Sequence, residues 1–199
     1  MATERGILVL AHSYQDGFIQ DAAHFVGDSL ELARQAAQSE AEAICFCGVH
    51  FMAETAGILC APHQKVILPN ITAGCSMADM APMDDVEDGW EDLQEVLGDH
   101  DGILPVTYMN SIAGIKALCG RTGGAVCTSS NAAAVLEWAF QSAERVLFLP
   151  DQHLGRNTGI KLGIDPEQMV VWNPFKRLGG NTVEQLRSSK MVLWQGHCA

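Results

Sequence analysis

The sequence predicts an α/β protein made of repeated three-layer α/β/α units with short parallel sheets. Short apolar runs alternate along the chain with longer helical patterns, an order typical of parallel sheets. Segments about 80 residues apart also resemble each other, which indicates an internal repeat. Finally, nearly every apolar run ends on hydroxyl, imidazole or amide side chains, as expected where a sheet carries a binding site.

The individual elements follow from local patterns. The predicted strands are residues 7–11, 43–49, 66–68, 102–107, 124–127, 145–149 and 191–194. Helices are predicted over residues 19–26, 29–38, a short stretch from about 52, 113–119 and 132–143. Asp28 and Glu31 have the spacing of a capping box at the second helix, with Ser29 at its first position beside unpaired amides that suit an anion.

The repeat defines the predicted domains. KVILPNITAGCSMAD resembles RVLFLPDQHLGRNTG, AICFCGVHFMAETA resembles GAVCTSSNAAAVLEWA, and ILVLAHSY resembles ILPVTYMN. We therefore expect one unit at residues 1–83 and a second at residues 102–199. Residues 84–101 are acidic and predict a solvated, partly helical connector, while residues 152–187 predict an insertion in a loop.

Charge and hydropathy narrow the class of function. A net charge of −12 argues against nucleic acid as a partner. Apolar runs all fall short of the roughly 18 to 20 residues of a membrane span, so no membrane association is expected. Without a recognisable export signal, we expect a cytoplasmic, reducing compartment.

The cysteines number seven, an odd count whose spacings match neither a disulfide scaffold nor a zinc ribbon. Cys45, Cys47, Cys119 and Cys127 lie in or beside apolar runs, which favours buried small hydrophobes. Cys75 follows a strand within a loop, where a thiolate can serve as a soft metal ligand.

Polar side chains at the strand ends form the candidate site. They are His12, Tyr14, Glu54, Thr55, Cys75, Tyr108, Asn110, Ser129, Ser130, Asp151, His153 and Cys198. Each also has a structural explanation: a helix cap for Ser129 and Ser130, a pinned loop for Asp151 and His153, and a favourable helix dipole for Glu54. Neither a glycine-rich phosphate loop nor a Walker lysine is present in this set.

The segments HSYQDGFIQDAAHFVGDSLELAR, GVHFMAETA, LPNITAGCSMAD, VTYMNS, CTSSNA, LPDQHLGRNTG and LWQGHC resemble, in this order, quinolinate synthases. The resemblance implies condensation of iminosuccinate (iminoaspartate) with dihydroxyacetone phosphate to quinolinate, phosphate and water, in NAD biosynthesis. It implies an oxygen-sensitive [4Fe–4S] cluster held by three cysteines, one from each of three pseudo-threefold-related domains. It also implies L-aspartate oxidase, which supplies iminosuccinate, as a candidate partner.

Residue roles follow from the same resemblance. Cys75 in AGCSMAD and Cys198 in WQGHC resemble two of the cluster ligands. His12, Tyr14 and Tyr108 resemble catalytic positions, and imidazole and phenol groups suit the proton transfers of a condensation. Substrate contacts are implied for His12, Ser29, Tyr108, Asn110 and Ser129.

The family pattern continues beyond Cys198 into a third domain that carries the third cluster cysteine, and this sequence does not include it. We therefore expect two of the three domains, from a fragment or a truncated gene. Two alternatives stay open: a non-catalytic remnant that binds a dicarboxylate or phosphate without a cluster, and a different α/β iron–sulfur dehydratase.

Overall fold

A computed structural model describes residues 6–98 and 102–198. The chain divides into two compact units, residues 1–75 and residues 76–199. Each unit is built on one parallel sheet, which confirms the predicted α/β class. The division falls directly after Cys75, so residues 76–83, predicted to end the first unit, belong to the second.

The first unit holds a four-stranded sheet. Its elements are β1 (Ile7–His12), α1 (Gly17–Ala22), β2 (Phe25–Gly27), α2 (Ser29–Gln38), β3 (Ala43–Cys47), α3 (His50–Leu59) and β4 (Lys65–Ile67). The strand order is β2-β1-β3-β4, and all pairs are parallel. Helices α2 and α3 pack against each other over the face that buries Leu10, Ile44 and Phe46.

One predicted helix of this unit is wrong. Residues 19–26 do not form one helix: α1 ends at Ala22, and Phe25 to Gly27 form the edge strand β2. The apolar spacing that suggested a helix arises because two short elements meet there. The next predicted helix and its Asp28 cap are confirmed, since α2 spans Ser29–Gln38 and the Asp28 carboxylate accepts hydrogen bonds from the Leu30 and Glu31 N–H groups.

The second unit holds a five-stranded sheet of order β6-β5-β7-β9-β8, again parallel throughout. Its strands are β5 (Ile103–Tyr108), β6 (Ala125–Cys127), β7 (Arg145–Leu149), β8 (Met169–Trp172) and β9 (Met191–Trp194). Its α-helices are α4 (Ser76–Asp79), α5 (Met83–Leu97), α6 (Ala113–Arg121), α7 (Ala132–Ser142), α8 (Gln152–Lys161) and α9 (Val183–Ser188), with short 3₁₀ turns at 166–168 and 177–180.

Helices cover both faces of this second sheet. On one face, α5, α6 and α9 enclose a core that includes Trp90, Leu147, Leu149 and Trp194. On the other, α7 and α8 enclose a core around Phe148 and its neighbours. The unit therefore has the three layers predicted from the sequence.

Two predictions about this unit are wrong. The acidic stretch 84–101 is not a connector over its described part, because α5 buries Val86, Trp90 and Leu93 and faces solvent only with its acidic side. Residues 99–101 lie outside the described residues. Residues 152–187 are not a loop either, since they contain α8, β8 and most of α9.

Over residues 6–98 and 102–198, helices are either too short or too polar to cross a membrane.

The two sheets share one topology once β8 is set aside. The order β2-β1-β3-β4 corresponds to β6-β5-β7-β9, so β1 matches β5, β2 matches β6, β3 matches β7 and β4 matches β9. The similarity of ILVLAHSY and ILPVTYMN thus reflects equivalent strands. The other two sequence similarities join non-equivalent strands, because they pair β4 with β7 and β3 with β6.

Candidate functional site

His12 and Tyr108 occupy the same position in the two sheets. His12 is the last residue of β1 and lies beside Gly27, the last residue of β2. Tyr108 ends β5 and lies beside Cys127, the last residue of β6. The hydrogen bonds just beyond also correspond: Ser13 N donates to Gly27 O at 3.1 Å, and Met109 N donates to Cys127 O at 2.8 Å. Both side chains are therefore delivered to the carboxyl edge of a parallel sheet, where such folds bind ligands.

Ser29 and Ser129 are equivalent in the same way. Ser29 comes two residues after Gly27, and Ser129 two residues after Cys127. Ser29 is the first residue of α2, and Ser129 lies in the turn before α7. Each serine therefore lies at or just before the start of a helix, and its hydroxyl can donate a hydrogen bond to a carboxylate or phosphate oxygen.

Cys75 and Cys198 complete the correspondence. Cys75 follows β4 and Cys198 follows β9, which are the matching strands of the two sheets. In the first unit, the N–H of His50 at the start of α3 donates to Ala73 O at 2.9 Å, two residues before Cys75. In the second, the N–H of Gln152 at the start of α8 donates to Gly196 O at 2.9 Å, two residues before Cys198. The two cysteine loops are thus anchored by the same hydrogen bond, and both thiols are free.

In the first unit the His12 imidazole is buried beneath Tyr14. The two rings meet edge to face with centroids 4.7 Å apart, and His12 Nδ1 accepts a hydrogen bond from the Tyr14 N–H at 3.2 Å. A neutral imidazole therefore carries its proton on Nε2. Burial lowers the pKa of His12, and the nearby Asp28 carboxylate offsets part of that effect. The Tyr14 side chain itself is exposed.

In the second unit Tyr108 lies at the centre of a polar group. Burial raises the pKa of Tyr108, while a hydrogen bond with the Ser129 side chain acts in the opposite direction. The negative charges that Asp151, Cys127 and Cys198 can carry raise that pKa further. Tyr108 is thus a protonated phenol at neutral pH, close enough to Asp151 and Cys198 to respond to their charges.

Asp151 has a clear structural role. Its carboxylate caps α8 by accepting hydrogen bonds from His153 N at 2.8 Å and Leu154 N at 3.1 Å. Its backbone also forms a parallel bridge with Gly196, so the cap and the Cys198 loop are held together. The imidazoles of His153 and His197 lie beside this loop, with ring centroids 6.3 Å apart.

The remaining candidates are placed as follows. Asn110 lies in the turn after β5, partly exposed, near the strand end that delivers Tyr108. Thr55 is buried inside α3 and donates to Phe51 O at 2.8 Å, which gives it a structural role. Glu54 also lies within α3 rather than at its first turn. Ser130 and Asn131 contact Thr128, which agrees with a helix-start turn.

Comparison with known proteins identifies the family. The profile of the Quinolinate synthetase A protein family matches residues 1–199. The chain belongs to the quinolinate synthase family. It is 59% identical over 194 residues to the quinolinate synthase of Corynebacterium glutamicum and 55% identical over 201 residues to that of a Nocardioides species. These matches cover 97% of this chain but only 49% and 51% of the relatives.

The chain thus spans about half the length of the curated quinolinate synthases that it matches. A third relative, from Acidobacterium capsulatum, agrees: it is 52% identical over 192 residues, which are 96% of this chain and 52% of the relative.

Cys75 and Cys198 fit an iron–sulfur cluster in the type of donor they supply. Both are free cysteines, Cys75 partly exposed and Cys198 exposed, and each lies in a loop that follows a strand at the carboxyl edge of its sheet. They are only two thiolates. Within residues 6–98 and 102–198, side chains of His, Cys, Asp and Glu do not gather in threes that could hold a metal ion.

The prediction that Cys45, Cys47, Cys119 and Cys127 are buried small hydrophobes is confirmed only in part. Cys119 and Cys127 are buried, and burial raises the pKa of each thiol to about 12, so they behave as small core residues. Cys45 and Cys47 are only partly buried, contrary to expectation, because one face of the first sheet lacks a thick helical cover.

Sequence reasoning missed the carboxylate that acts on His12. The sequence predicts Asp28 only as a helix cap, because the apolar spacing of residues 19–26 predicts a helix there. The structure brings Asp28 beside His12 through the pairing of β1 with the short strand β2. Three apolar or small residues before a capping sequence, Phe25 to Gly27, were the available signal for that strand.

Proposed function

We propose that this chain forms part of a quinolinate synthase and contributes side chains to its site, and that the whole enzyme condenses iminosuccinate with dihydroxyacetone phosphate to quinolinate, phosphate and water. Family membership supports this reaction. The observation that carries the proposal is the matched delivery of three kinds of side chain, an acid–base group, a serine and a cysteine, to the carboxyl edge of both sheets.

His12 and Tyr108 are the proposed proton-transfer groups. A condensation that closes an aromatic ring needs protons moved to and from carbon and oxygen atoms, work suited to groups that keep a transferable proton at neutral pH. The lowered pKa of His12 keeps its imidazole neutral, with Nε2–H available and Nδ1 held by the Tyr14 N–H. The raised pKa of Tyr108 keeps the phenol protonated, so that it can donate to a developing oxyanion.

Ser29, Asn110 and Ser129 are the proposed substrate-holding groups, and His12 and Tyr108 contact the substrate as well. Tyr14, whose ring lies against that of His12, is proposed as a third catalytic group. The substrates carry two carboxylates and a phosphate. The hydroxyls of Ser29 and Ser129 and the amide of Asn110 can donate hydrogen bonds to these anions without a permanent positive charge. Tyr108 bonds to Ser129, so substrate held by Ser129 would lie against the acid–base phenol.

Cys75 and Cys198 would hold a [4Fe–4S] cluster together with a third thiolate from the half of the enzyme that these residues do not include. When bound, such a cluster with an open iron position supplies a Lewis acid for oxygen atoms of the substrate. The cysteine loops contribute placement, because each is tied by its backbone to the start of a helix. Free thiols agree with a reducing compartment such as the cytoplasm, and L-aspartate oxidase is our candidate supplier of iminosuccinate.

A chimera tests the proposal. This chain replaces its counterpart in the Corynebacterium glutamicum relative, and the purified protein is reconstituted anaerobically with iron and sulfide. Quinolinate formation is then followed with iminosuccinate and dihydroxyacetone phosphate. We expect turnover in the parent chimera and a loss of about 100-fold or more in His12→Ala and Tyr108→Phe. Ser142→Ala, an exposed residue at the far end of α7, is the matched control and should keep full turnover.

Two outcomes of this experiment would contradict the proposal. A chimera that carries its cluster but forms no quinolinate contradicts the proposed reaction for this chain. Full turnover in both His12→Ala and Tyr108→Phe contradicts the assigned acid–base groups.

A further inference from the structure

The turns that carry the proposed site residues are built alike in the two units. In the first unit β1 ends at His12, and α1 begins five residues later. In the second unit β5 ends at Tyr108, and α6 also begins five residues later. Counting from these strand ends makes Tyr14 equivalent to Asn110. Each turn therefore presents an acid–base group at the strand end and a second polar side chain two residues further on.

In the first unit a helix side chain reaches back to its turn. Gln20, the fourth residue of α1, donates from Nε2 to Gln15 O at 2.8 Å and to Ser13 O at 3.1 Å. The same turn is closed by the Gln15 N–H, which donates to His12 O at 2.9 Å. One amide therefore holds the carbonyls on either side of Tyr14, whose own N–H donates to His12 Nδ1.

In the second unit Lys116 makes the equivalent bond. It is the fourth residue of α6, and its Nζ donates to Ser111 O, the carbonyl that corresponds to Gln15 O. This turn is also closed onto its strand end, here through the Ser111 hydroxyl, which donates to Tyr108 O at 2.9 Å. The Thr107 hydroxyl, buried like that of Ser111, donates to Ser111 Oγ at 3.0 Å and so fixes its direction.

The bond is present in both units although the residue types differ. The segments HSYQDGFIQ and YMNSIAGIK share only one identical residue, Ile19 with Ile115. An amide in one unit and an ammonium group in the other nevertheless donate to the same turn carbonyl. Both donor residues are partly buried, where a hydrogen bond is stronger than in water. Because glutamine carries no charge, the property that the two positions share is a hydrogen-bond donor.

We propose that Gln20 and Lys116 are positioning residues for the reaction, because each holds the turn that presents two of the groups proposed to act on the substrate. This inference rests on the proposed function, in which the two turns supply acid–base and substrate-holding groups. Gln20 and Lys116 act through the backbone carbonyls of these turns. Without its bond to the helix, a turn can shift relative to the strand end, and a misplacement of about 1 Å can cost about 100-fold in rate.

Reciprocal substitutions test the inference in the reconstituted chimera with the Corynebacterium glutamicum relative. Gln20→Met and Lys116→Met remove the donor at similar side-chain length, whereas Gln20→Lys and Lys116→Gln exchange one donor for the other. We expect each methionine variant to lower kcat/KM for quinolinate formation by about tenfold or more, the size of one lost hydrogen bond, with iron and sulfide bound as in the parent. Both exchange variants should keep kcat/KM within about threefold of the parent. Gln38→Met and Lys161→Met, at the exposed last residues of α2 and α8, are the matched controls and should keep full turnover.

Amide hydrogen exchange in the chain itself measures the two turns without the reaction. The reporters are the N–H groups of Tyr14 and Ser111, each of which is hydrogen-bonded within its own turn. Gln20→Met should speed exchange at Tyr14 by about tenfold or more and leave Ser111 unchanged. Lys116→Met should do the reverse, so each turn serves as the internal reference for the other.

The two measurements separate this inference from the proposed function. A parent chimera that forms no quinolinate contradicts the proposed function, whereas unchanged exchange at both reporters overturns the positioning role whatever the turnover. Full kcat/KM in both methionine variants of an active chimera also overturns it. So does an equal loss in the methionine and exchange variants, because a donor at these positions would then not be what the reaction needs.

Discussion

Helix α8 sets the position of the Cys198 loop, and Gly155 sets how closely α8 approaches the sheet. A Cβ atom at Gly155 would lie 2.7 Å from Phe148 Cδ1 and 2.8 Å from Leu193 Cδ2, closer than real Cβ contacts allow. Both neighbours are fully buried, so neither can move aside easily. Gly155→Ala should therefore push α8 away from β7 and β9.

The magnitude follows from two opposing effects. Alanine favours a helix over glycine by about 1 kcal/mol. Overpacking a buried contact costs about 1 to 3 kcal/mol, and two close neighbours put this site near the upper end. We expect a net loss of about 1 to 2 kcal/mol, which lowers a urea midpoint by about 0.5 to 1 M for a typical m-value near 2 kcal/mol/M. Gly120→Ala is the control, because its Cβ would meet nothing within 4 Å and the helix preference alone should raise the midpoint.

Tryptophan fluorescence is the assay for this comparison. The four tryptophans, at 90, 138, 172 and 194, all lie in the second unit, so their emission reports on that unit alone. A Gly155→Ala midpoint that rises as much as that of Gly120→Ala would refute the close packing of α8 on the sheet.

Two further predictions concern protons at the site. Histidine NMR titration should give His12 a pKa below 6.5, and Asp28→Asn, which keeps the helix cap, should lower it further because the carboxylate raises it; a rise would contradict the assigned charge contact. Since the unfolded chain then binds more protons than the folded one, His12 costs stability as the pH falls from about 6.5 through its lowered folded pKa. Tyrosinate absorbance in a Tyr14→Phe background should show that Ser129→Ala raises the pKa of Tyr108, because the lost hydrogen bond lowers it; an unchanged titration would exclude that bond.

Periodicity predicts the central strands well because buried strands are apolar on both faces. The predicted strands 145–149 and 191–194 agree with β7 and β9 residue for residue. The edge strand β2 is not predicted by apolar periodicity, because its three residues are partly exposed and the strand is too short to show a clear pattern. Strand β8 is likewise missed by the sequence prediction, because it lies within residues 152–187, which predict a loop insertion.

The repeat was visible in the sequence, but its strand pairing was not. Leu-Pro and a polar loop follow both β4 and β7, which suggested that these strands correspond. Only the sheet order shows that β4 matches β9, because β8 and α9 intervene between β7 and β9. That correction makes Cys75 and Cys198 equivalent positions, a relation that motif similarity alone does not reveal.

The acidic segment shows the limit of composition as a guide. Asp and Glu dominate its surface, which predicted a solvated connector. Its apolar residues Val86, Trp90 and Leu93 recur at helical spacing and seal one face of the second core. The spacing of these large apolar residues determines that the segment is a packed helix. The acidic residues determine only the character of its solvent-facing side.

The most direct test of the equivalence of Cys75 and Cys198 is the iron and acid-labile sulfide bound per chain. The chimera with the Corynebacterium glutamicum relative is reconstituted anaerobically as the parent, as Cys75→Ser, as Cys198→Ser and as Cys60→Ser, the last replacing a thiol at the end of α3. We predict that both Cys75→Ser and Cys198→Ser lose the bound cluster, while Cys60→Ser keeps the parent's iron and sulfide. An intact cluster in either Cys75→Ser or Cys198→Ser would contradict the assignment of these two cysteines as matched ligands.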